Sequence, residues 1–316
     1  MSEKREPLVV VAGPTGSGKS ELALRIAQEF TGEVVNCDSL QIYRHFDLGT
    51  AKLPEAERQG IPHHLIDIID PDEVFTAGEY ARRGREALRN IVSRSRVPVV
   101  AGGTGFYLRA LLEGLFAGPG RNQDLRQRLA RREARRAGSL HRLLSYFDPE
   151  AAQRIHANDT PKLIRALEVC LLTRRPLSEW FSNGRDPLAG FRTLKLGLSP
   201  PRDLLFERTD SRCRRMFECG LAGEVRHILS LGFKADSKPF QSVGYRQALQ
   251  FANGGLSLED ALRDAQKSTR HYAKRQWTWF RKEPGMIWLS GFGDAPEIQD
   301  RALEHVRMFL EPAADE

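Results

Sequence analysis

Apolar-rich blocks of five residues recur through the first 115 positions, at 8–12, 33–37 and 97–101, and each gives way at once to glycine or a polar side chain. Blocks of this length, bounded by turn formers, predict buried strands. A less regular run at 64–69 predicts a further one. Between them the apolar spacing changes to three and four residues, in Leu22, Ala23, Ile26, Ala27 and Phe30 and again in Tyr80, Ala87, Leu88 and Ile91 within 79–94. That spacing predicts amphipathic helices. Strands alternating with helices predict an α/β fold with a parallel sheet, whose C-terminal strand ends line one ligand-binding edge.

The pattern changes after Pro119. Arg121, Arg126, Arg128, Arg131, Arg132, Arg135, Arg136 and Arg142 crowd one helical stretch, and Asp148-Pro149 and Thr160-Pro161 have the form of a capping residue followed by proline in the first turn. Residues 119–188 therefore predict an all-helical, arginine-rich insertion, closed by turn signals at Asn183-Gly184 and Asp186-Pro187. A strand at 194–198 and helices over about 204–231 return the chain to the core, which comprises 1–118 and 189–316. A last long helix over 265–281 carries Lys267, Arg270, Lys274 and Arg281 on one face beside a stripe of Ala273, Trp277 and Phe280. The basic face reads equally as a solvated surface or as one turned toward nucleic acid, and the aromatics read as core.

Charge sharpens this. Lys and Arg number 48 against 41 Asp and Glu, a net of +7 with arginine in large excess over lysine, which favours a phosphate-bearing partner. Four cysteines without CxxC spacing point to a reduced compartment with neither disulfides nor structural zinc. No apolar run reaches eighteen residues, and 8–12 is too short for a secretory signal, so a cytoplasmic location and no membrane partner are expected.

The candidate chemistry begins at the end of the first strand. Gly13, Pro14, Thr15, Gly16, Ser17, Gly18, Lys19 and Ser20 spell GxxxxGKS between a strand and a helix. Such a loop turns backbone N–H groups inward, sends a lysine to a terminal phosphate and offers a hydroxyl to Mg²⁺, with the positive helix end behind it. Asp38, at the end of the second strand, is open to three readings: a carboxylate that organises metal, a general base, or a turn residue. Thr104, in Gly102-Gly103-Thr104-Gly105, would meet Asp38 and the loop in one cleft. His63 and His64 are adjacent on a strand and point to opposite faces, so no metal is assigned to them.

At this point a resemblance becomes specific. The blocks GPTGSGKS, NCDSLQIYR with DLGTAK, PHHLIDIIDP, GGTGFYLRALLEG, HANDTPKLIRALEV, FERTDSRCRRMFECGLAGEVR, SVGYRQAL and TRHYAKRQWTWFR follow one another in an order that resembles the tRNA dimethylallyltransferases. The likeness spans nearly all of residues 8–290. It implies a P-loop NTPase-like core that grips dimethylallyl diphosphate instead of ATP, and transfer of the dimethylallyl group to the exocyclic amine of the adenosine 3′ of the anticodon, position 37, in tRNAs reading codons that begin with U. It further implies Asp38 as general base, Thr104 at the bridging oxygen of the leaving diphosphate, Lys19, Ser20 and the backbone from Thr15 to Gly18 on diphosphate and Mg²⁺, and Arg208 and Arg212 neutralising leaving-group charge. The tRNA contacts it implies fall on Asp38, Ser39, Leu40, Gln41, Thr104, Arg126, Pro161, Lys162, Leu163, Ile164, Arg165, Gln241, Ser242, Val243, Gly244, Tyr245, Arg246, Lys274, Arg275, Gln276 and Arg281. A monomer is implied as well.

Departures from the family pattern are confined to Cys37, where a small or apolar residue is usual, to Thr160-Pro161, where the proline is displaced by one place, and to Leu53 after Lys52. Two rival functions share the phosphate loop. One is prenylation of a free adenine nucleotide, which leaves the arginine-rich insertion unexplained; the other is an ATP-dependent kinase or NTPase, with Asp38 or Asp67 organising metal.

Overall fold

Along the first strand, β1 (Glu6–Ala12), successive side chains enter two different cores. Leu8, Val10 and Ala12 join a cluster with Leu88, Ile91, Leu111 and Val225, while Val9 and Val11 join Leu22, Ile26, Ile298 and Val306 on the opposite face. A strand apolar on both faces is the mark of a parallel sheet covered twice. The computed structural model describes residues 5–116, 118–182 and 184–311.

The chain continues through α1 (Lys19–Glu29), β2 (Gly32–Asn36), β3 (His63–His64), α2 (Ala77–Ser93), β4 (Val97–Gly102) and α3 (Gly105–Glu113). Five helices follow, α4 (Gln123–Arg135), α5 (Ser139–Phe147), α6 (Pro149–Arg154), α7 (Thr160–Thr173) and α8 (Leu177–Ser182). The remainder is β5 (Phe191–Leu198), α9 (Arg202–Glu218), α10 (Leu221–Ser230), α11 (Tyr245–Ala252), α12 (Leu258–Phe280), β6 (Met286–Leu289) and α13 (Pro296–Leu310). Two compact units result: a core of 1–112 with 188–316, and a helical unit, Glu113–Pro187.

In the core, six strands run in the order β3-β2-β4-β1-β5-β6, and each neighbouring pair is parallel. The central strand β1 pairs Val10 with Val100 on one side and with Lys195 on the other. The chain builds first to one side of β1 and then to the other, so the loop leaving β1 sits at the switch in strand order, where such sheets bind ligands. The helical unit closes on its own cluster of Leu129, Leu140, Leu144, Leu163, Leu167 and Val169. Asp148 caps α6, accepting from Ala151 N–H at 2.9 Å, with Pro149 in the first turn.

Several elements differ from their sequence-based expectation. The strand expected at 64–69 is reduced to His63–His64, because Leu65 and Asp67 adopt positive φ (61° and 55°), which ends the extended run; Ile69 then makes an isolated bridge to Tyr43. Helix α7 is capped by Asp159, not Thr160, which becomes its first residue with Pro161 second. The last long helix starts at Leu258, seven residues earlier than the basic and aromatic pattern suggested. Of the turn expected at 183–184, Asn183 lies outside the described residues.

Candidate active site

Three strand ends supply the site. The loop after β1 turns through Gly16 and Gly18, both in the left-handed region (φ 82° and 84°) that favours glycine, and delivers its N–H groups to the start of α1. Lys19 Nζ donates to Pro14 O at 2.7 Å across the loop. Burial draws its ammonium pKa down to about 8, against the attraction of Asp38, while Arg212 adds to the lowering. Arg212, from α9, donates to Thr15 Oγ1 at 2.5 Å, and burial lowers its pKa also.

After β2, Asp38 is fixed from two sides. Its N–H donates to Asn36 Oδ1 at 3.1 Å, and its Oδ1 accepts from Leu40 N–H at 2.8 Å. The turn after β4 locks onto it: Thr104 N–H donates to Cys37 O at 3.1 Å, and Thr104 Oγ1 accepts from Ser39 N–H at 3.0 Å. Gly103 packs directly against the Gln276 amide, and a Cβ there would lie 2.2 Å from Gln276 Nε2 and displace it. Asp38 and Thr104 are thereby held on adjacent turns by backbone bonds.

Two cavities meet at Asp38. One, of about 220 Å³, is polar and lined by Thr15, Gly16, Gly18, Lys19, Ser20 and Asp38, with Arg208, Arg212 and Arg215 from α9 facing it. The other, of about 430 Å³, is lined by Leu40, Val243, Met216, Cys213, Tyr272 and Gly244 among others. Thr15, Asp38, Thr50 and Arg212 border both. A carboxylate thus stands where a cationic, N–H-lined hollow joins a more apolar chamber. That combination suits a ligand with an anionic head and a greasy tail, and a reaction at the junction.

Comparison with known proteins agrees with this geometry. Residues 41–283 match the IPP transferase family. The chain is 66% identical to a tRNA dimethylallyltransferase of Solibacter usitatus over 96% of its own length and 99% of that protein's, and 52% identical to one of Koribacter versatilis over 95% and 98%. The chain belongs to the tRNA dimethylallyltransferase family. Solved structures agree: the tRNA isopentenylpyrophosphate transferase of Bacillus halodurans superposes with a TM-score of 0.70 at 33% identity, covering 97% of this chain and 96% of that one. A eukaryotic dimethylallyltransferase acting on tRNA gives 0.81 at 29% identity, covering 98% and 81%. The core has the family's P-loop NTPase-like fold.

Within this family frame, the residues expected at the site divide into three groups. Thr15, Gly16, Gly18, Lys19, Ser20, Asp38, Arg208 and Arg212 line the polar cavity, and Ser39, Leu40, Gln241, Ser242, Val243, Gly244 and Arg275 line the larger chamber. Gly13, Pro14 and Ser17 are buried under the loop, where Gly293 N–H donates to Ser17 O at 2.8 Å. Arg208 is half engaged, pairing with Asp294 at 2.8 Å. Lys274 opens onto a separate basic basin of about 600 Å³ with Arg109, His271, Arg275, Trp279 and Lys282, and Arg281 lies exposed over Trp277.

The third group has partners within the protein. In the helical unit Arg126 grips the fully buried Glu168 through two bonds of 2.8 Å, and Arg165 grips it at 2.7 Å. Leu163 is buried and Ile164 packs against the same core, leaving Pro161 and Lys162 exposed, the latter paired with Asp159 at 2.5 Å. Tyr245 is buried, donating to Glu224 and accepting from Gly49 N–H at 3.1 Å. Gln276 is 6% exposed and faces the phosphate loop. Arg246 remains half-exposed near Asp264.

Thr50, in the polar run 49–52, lines both cavities, while Arg215, Cys213, Met216 and Tyr272 are lining residues that the sequence pattern did not single out. Arg215 and Met216 follow Arg212 by one helical turn in α9, a signal the spacing did offer. Asp67, the rival metal-organising carboxylate, is instead the partner of the buried Lys52 ammonium at 2.5 Å and does not line the polar cavity.

Proposed function

We propose that this family member transfers the dimethylallyl group of dimethylallyl diphosphate to N6 of the adenosine immediately 3′ of the anticodon, position 37, in tRNAs reading codons that begin with U. The observation that carries the reading is the position of Asp38, at the junction of the cationic hollow formed by the phosphate loop and the larger chamber. The diphosphate occupies the first, held by the loop N–H groups, Lys19 and Arg212. The allylic carbon and the target amine meet beside Asp38.

In the reaction the bond from the allylic carbon to the bridging oxygen breaks, and its electrons leave with diphosphate. The amine nitrogen bonds to that carbon and gives its proton to Asp38, a contribution typically of about 10²- to 10⁴-fold. Thr104, Lys19 and the arginines meet the charge that gathers on the leaving oxygens. Among the described residues no cluster of three or more His, Cys, Asp or Glu is placed to hold a metal, so Mg²⁺ would bind through Ser20 and the diphosphate itself, which suits an ion that keeps few protein ligands. When bound it would neutralise leaving-group charge. The target adenine is drawn from its stack into the chamber, away from water that would capture the carbon. Exposed arginines of α4 in the helical unit, Arg128, Arg131, Arg132 and Arg135, with Arg136 just after it, offer a phosphate-binding face for the stem. A cytoplasmic monomer fits this work, and among the described residues no helix is long and apolar enough to cross a membrane.

The test is incubation with Mg²⁺, labelled dimethylallyl diphosphate and unmodified tRNA carrying adenosine 3′ of its anticodon, with AMP in a parallel reaction. Label in the tRNA, located to that nucleoside, is the expected result; label in AMP or in neither contradicts the proposal.

A further inference from the structure

The loop after β1 and the turn after β4 both belong to the site, yet each is a short irregular segment that must hold its shape without a partner strand. One side chain joins them. Gln276 Oε1 accepts from Thr15 N–H at 2.8 Å, and its Nε2 donates to Gly103 O at 2.8 Å. Both ends of the amide are used, the side chain is 6% exposed, and a Cβ on Gly103 would collide with it. One turn earlier on α12, the Tyr272 phenol reaches the Thr104 side chain. Thr15 also receives the Arg212 guanidinium on its hydroxyl, so its backbone and side chain are both held from outside the loop.

We propose that Gln276 is a positioning residue for catalysis: it sets the distance between the diphosphate cradle at Thr15 and the Thr104 turn, and so aligns the leaving group with Asp38. Its amide is suited to this in a way no charged or apolar side chain is. It supplies one acceptor and one donor in a fixed geometry, matching the part-buried N–H of Thr15 and the buried carbonyl of Gly103. Glutamate at 276 keeps the acceptor, loses the donor and adds negative charge beside the cradle; leucine removes both bonds. The outward face of α12, including Lys267 and Lys274, is untouched by either change.

The inference rests on the transferase reaction proposed above, and the test separates the two. Purified Gln276→Leu and Gln276→Glu are compared with wild type in dimethylallyl transfer, in tRNA affinity and in melting temperature. A destabilised control, Val306→Ala on the remote helix α13, is carried alongside. The expected outcome is a fall in kcat of roughly ten- to hundredfold for Gln276→Leu, since small misplacements of reacting groups cost on that order. Its tRNA affinity stays within about twofold of wild type. Gln276→Glu gains a raised KM for dimethylallyl diphosphate as its signature, because the carboxylate repels the diphosphate. Val306→Ala melts earlier but keeps wild-type kcat and KM well below its melting temperature. Wild-type kinetics in both Gln276 variants overturn the proposal, as does a loss that Val306→Ala reproduces at equal melting temperature. If Gln276→Leu does not fold, the KM of Gln276→Glu decides. A wild-type protein that transfers nothing to tRNA counts against the function and not against the position of Gln276, which inorganic diphosphate binding with Mg²⁺ then tests by the same comparison.

Discussion

Arg212 in the core unit and Arg126 in the helical unit are both drawn largely out of water, and they are satisfied in opposite ways. Arg126 faces a built-in counter-charge, the fully buried Glu168, with two bonds of 2.8 Å. Arg212 meets a neutral hydroxyl, Thr15 Oγ1, and among the described residues forms no ion pair; it borders a polar hollow that it shares with Lys19, whose ammonium donates to a carbonyl. Burying a cation without an anion is costly. A chain that keeps two such cations at one hollow has left the anion to be brought by a ligand, whereas one that pairs its arginine internally has used it to fold. Arginine count alone does not distinguish these uses; the identity of the partner does.

The strongest break in this contrast would come at Asp38, the carboxylate that shares the hollow and offsets its two cations only in part. Asp38→Ala is expected to lower kcat by about 10²- to 10⁴-fold, with tRNA affinity unchanged in a filter-binding titration; turnover near wild type would remove the general-base assignment. Arg212→Ala comes next, with a loss of about 10²- to 10³-fold in kcat and a melting temperature close to wild type.

The helical unit should behave in reverse. Glu168 is pushed upward in pKa by burial, but bonds from Arg126, Arg165 and the Asn122 N–H outweigh this and hold it near about 2. A carboxylate depressed in the folded state stabilises above its unfolded value, and that stability is lost as pH falls from about 4.5 toward about 2. Glu168→Ala, which leaves two guanidinium groups without their anion, should cost about 3 kcal/mol in urea unfolding followed at the helical unit. It should also abolish the acid-dependent part of the unfolding curve. An unchanged curve would mean the cluster is not the anchor of that unit.

Smaller effects refine the picture. With Lys19 near pH 8 in the free protein, its charge is lost as pH rises through that value. The quotient kcat/KM for dimethylallyl diphosphate should therefore decline above pH 8, by about tenfold one unit higher. A flat profile to pH 9.5 or so would separate Lys19 from diphosphate capture. Tyr245→Phe removes the hydroxyl that joins Glu224 to the Gly49 N–H beside the larger chamber. About 1 kcal/mol of stability should go with it, visible as a modest drop in melting temperature.

What could be read from the sequence was whatever a local pattern dictates. The loop from Gly13 to Ser20, the strands around it and the meeting of Asp38 with that loop in one hollow follow from spacing and from the rule that parallel strands end on one edge, while Thr104 is tied to the Asp38 turn by backbone bonds and lines neither cavity. The strand at 64–69 failed because Leu65 and Asp67 take positive φ, which an apolar run does not announce. The cap of α7 was misplaced because Asp159 and Thr160 are both capping residues and only the backbone chooses between them. Arg126, Arg165, Tyr245 and Gln276 were expected to meet RNA. The partners of Arg126, Tyr245 and Gln276 within the protein are distant in sequence and no periodicity reveals them, whereas Arg165 stands one helical turn from Glu168 on α7, a pairing the spacing did offer. Strand β6 and helix α13 lie in a stretch where the apolar positions are too short or too interrupted to stand out before folding brings Ile298 and Val306 against α1.

The contrast between the two arginines is tested most directly by ligand protection in three proteins side by side. Melting temperatures of wild type, Arg212→Ala and Arg126→Ala would be recorded with and without Mg²⁺ and a non-transferable dimethylallyl diphosphate analogue, in the presence of the RNA stem-loop. The account predicts a clear upward shift in wild type, the same shift from a lower starting point in Arg126→Ala, and little or none in Arg212→Ala. A full shift in Arg212→Ala, with the shift lost in Arg126→Ala, would contradict it.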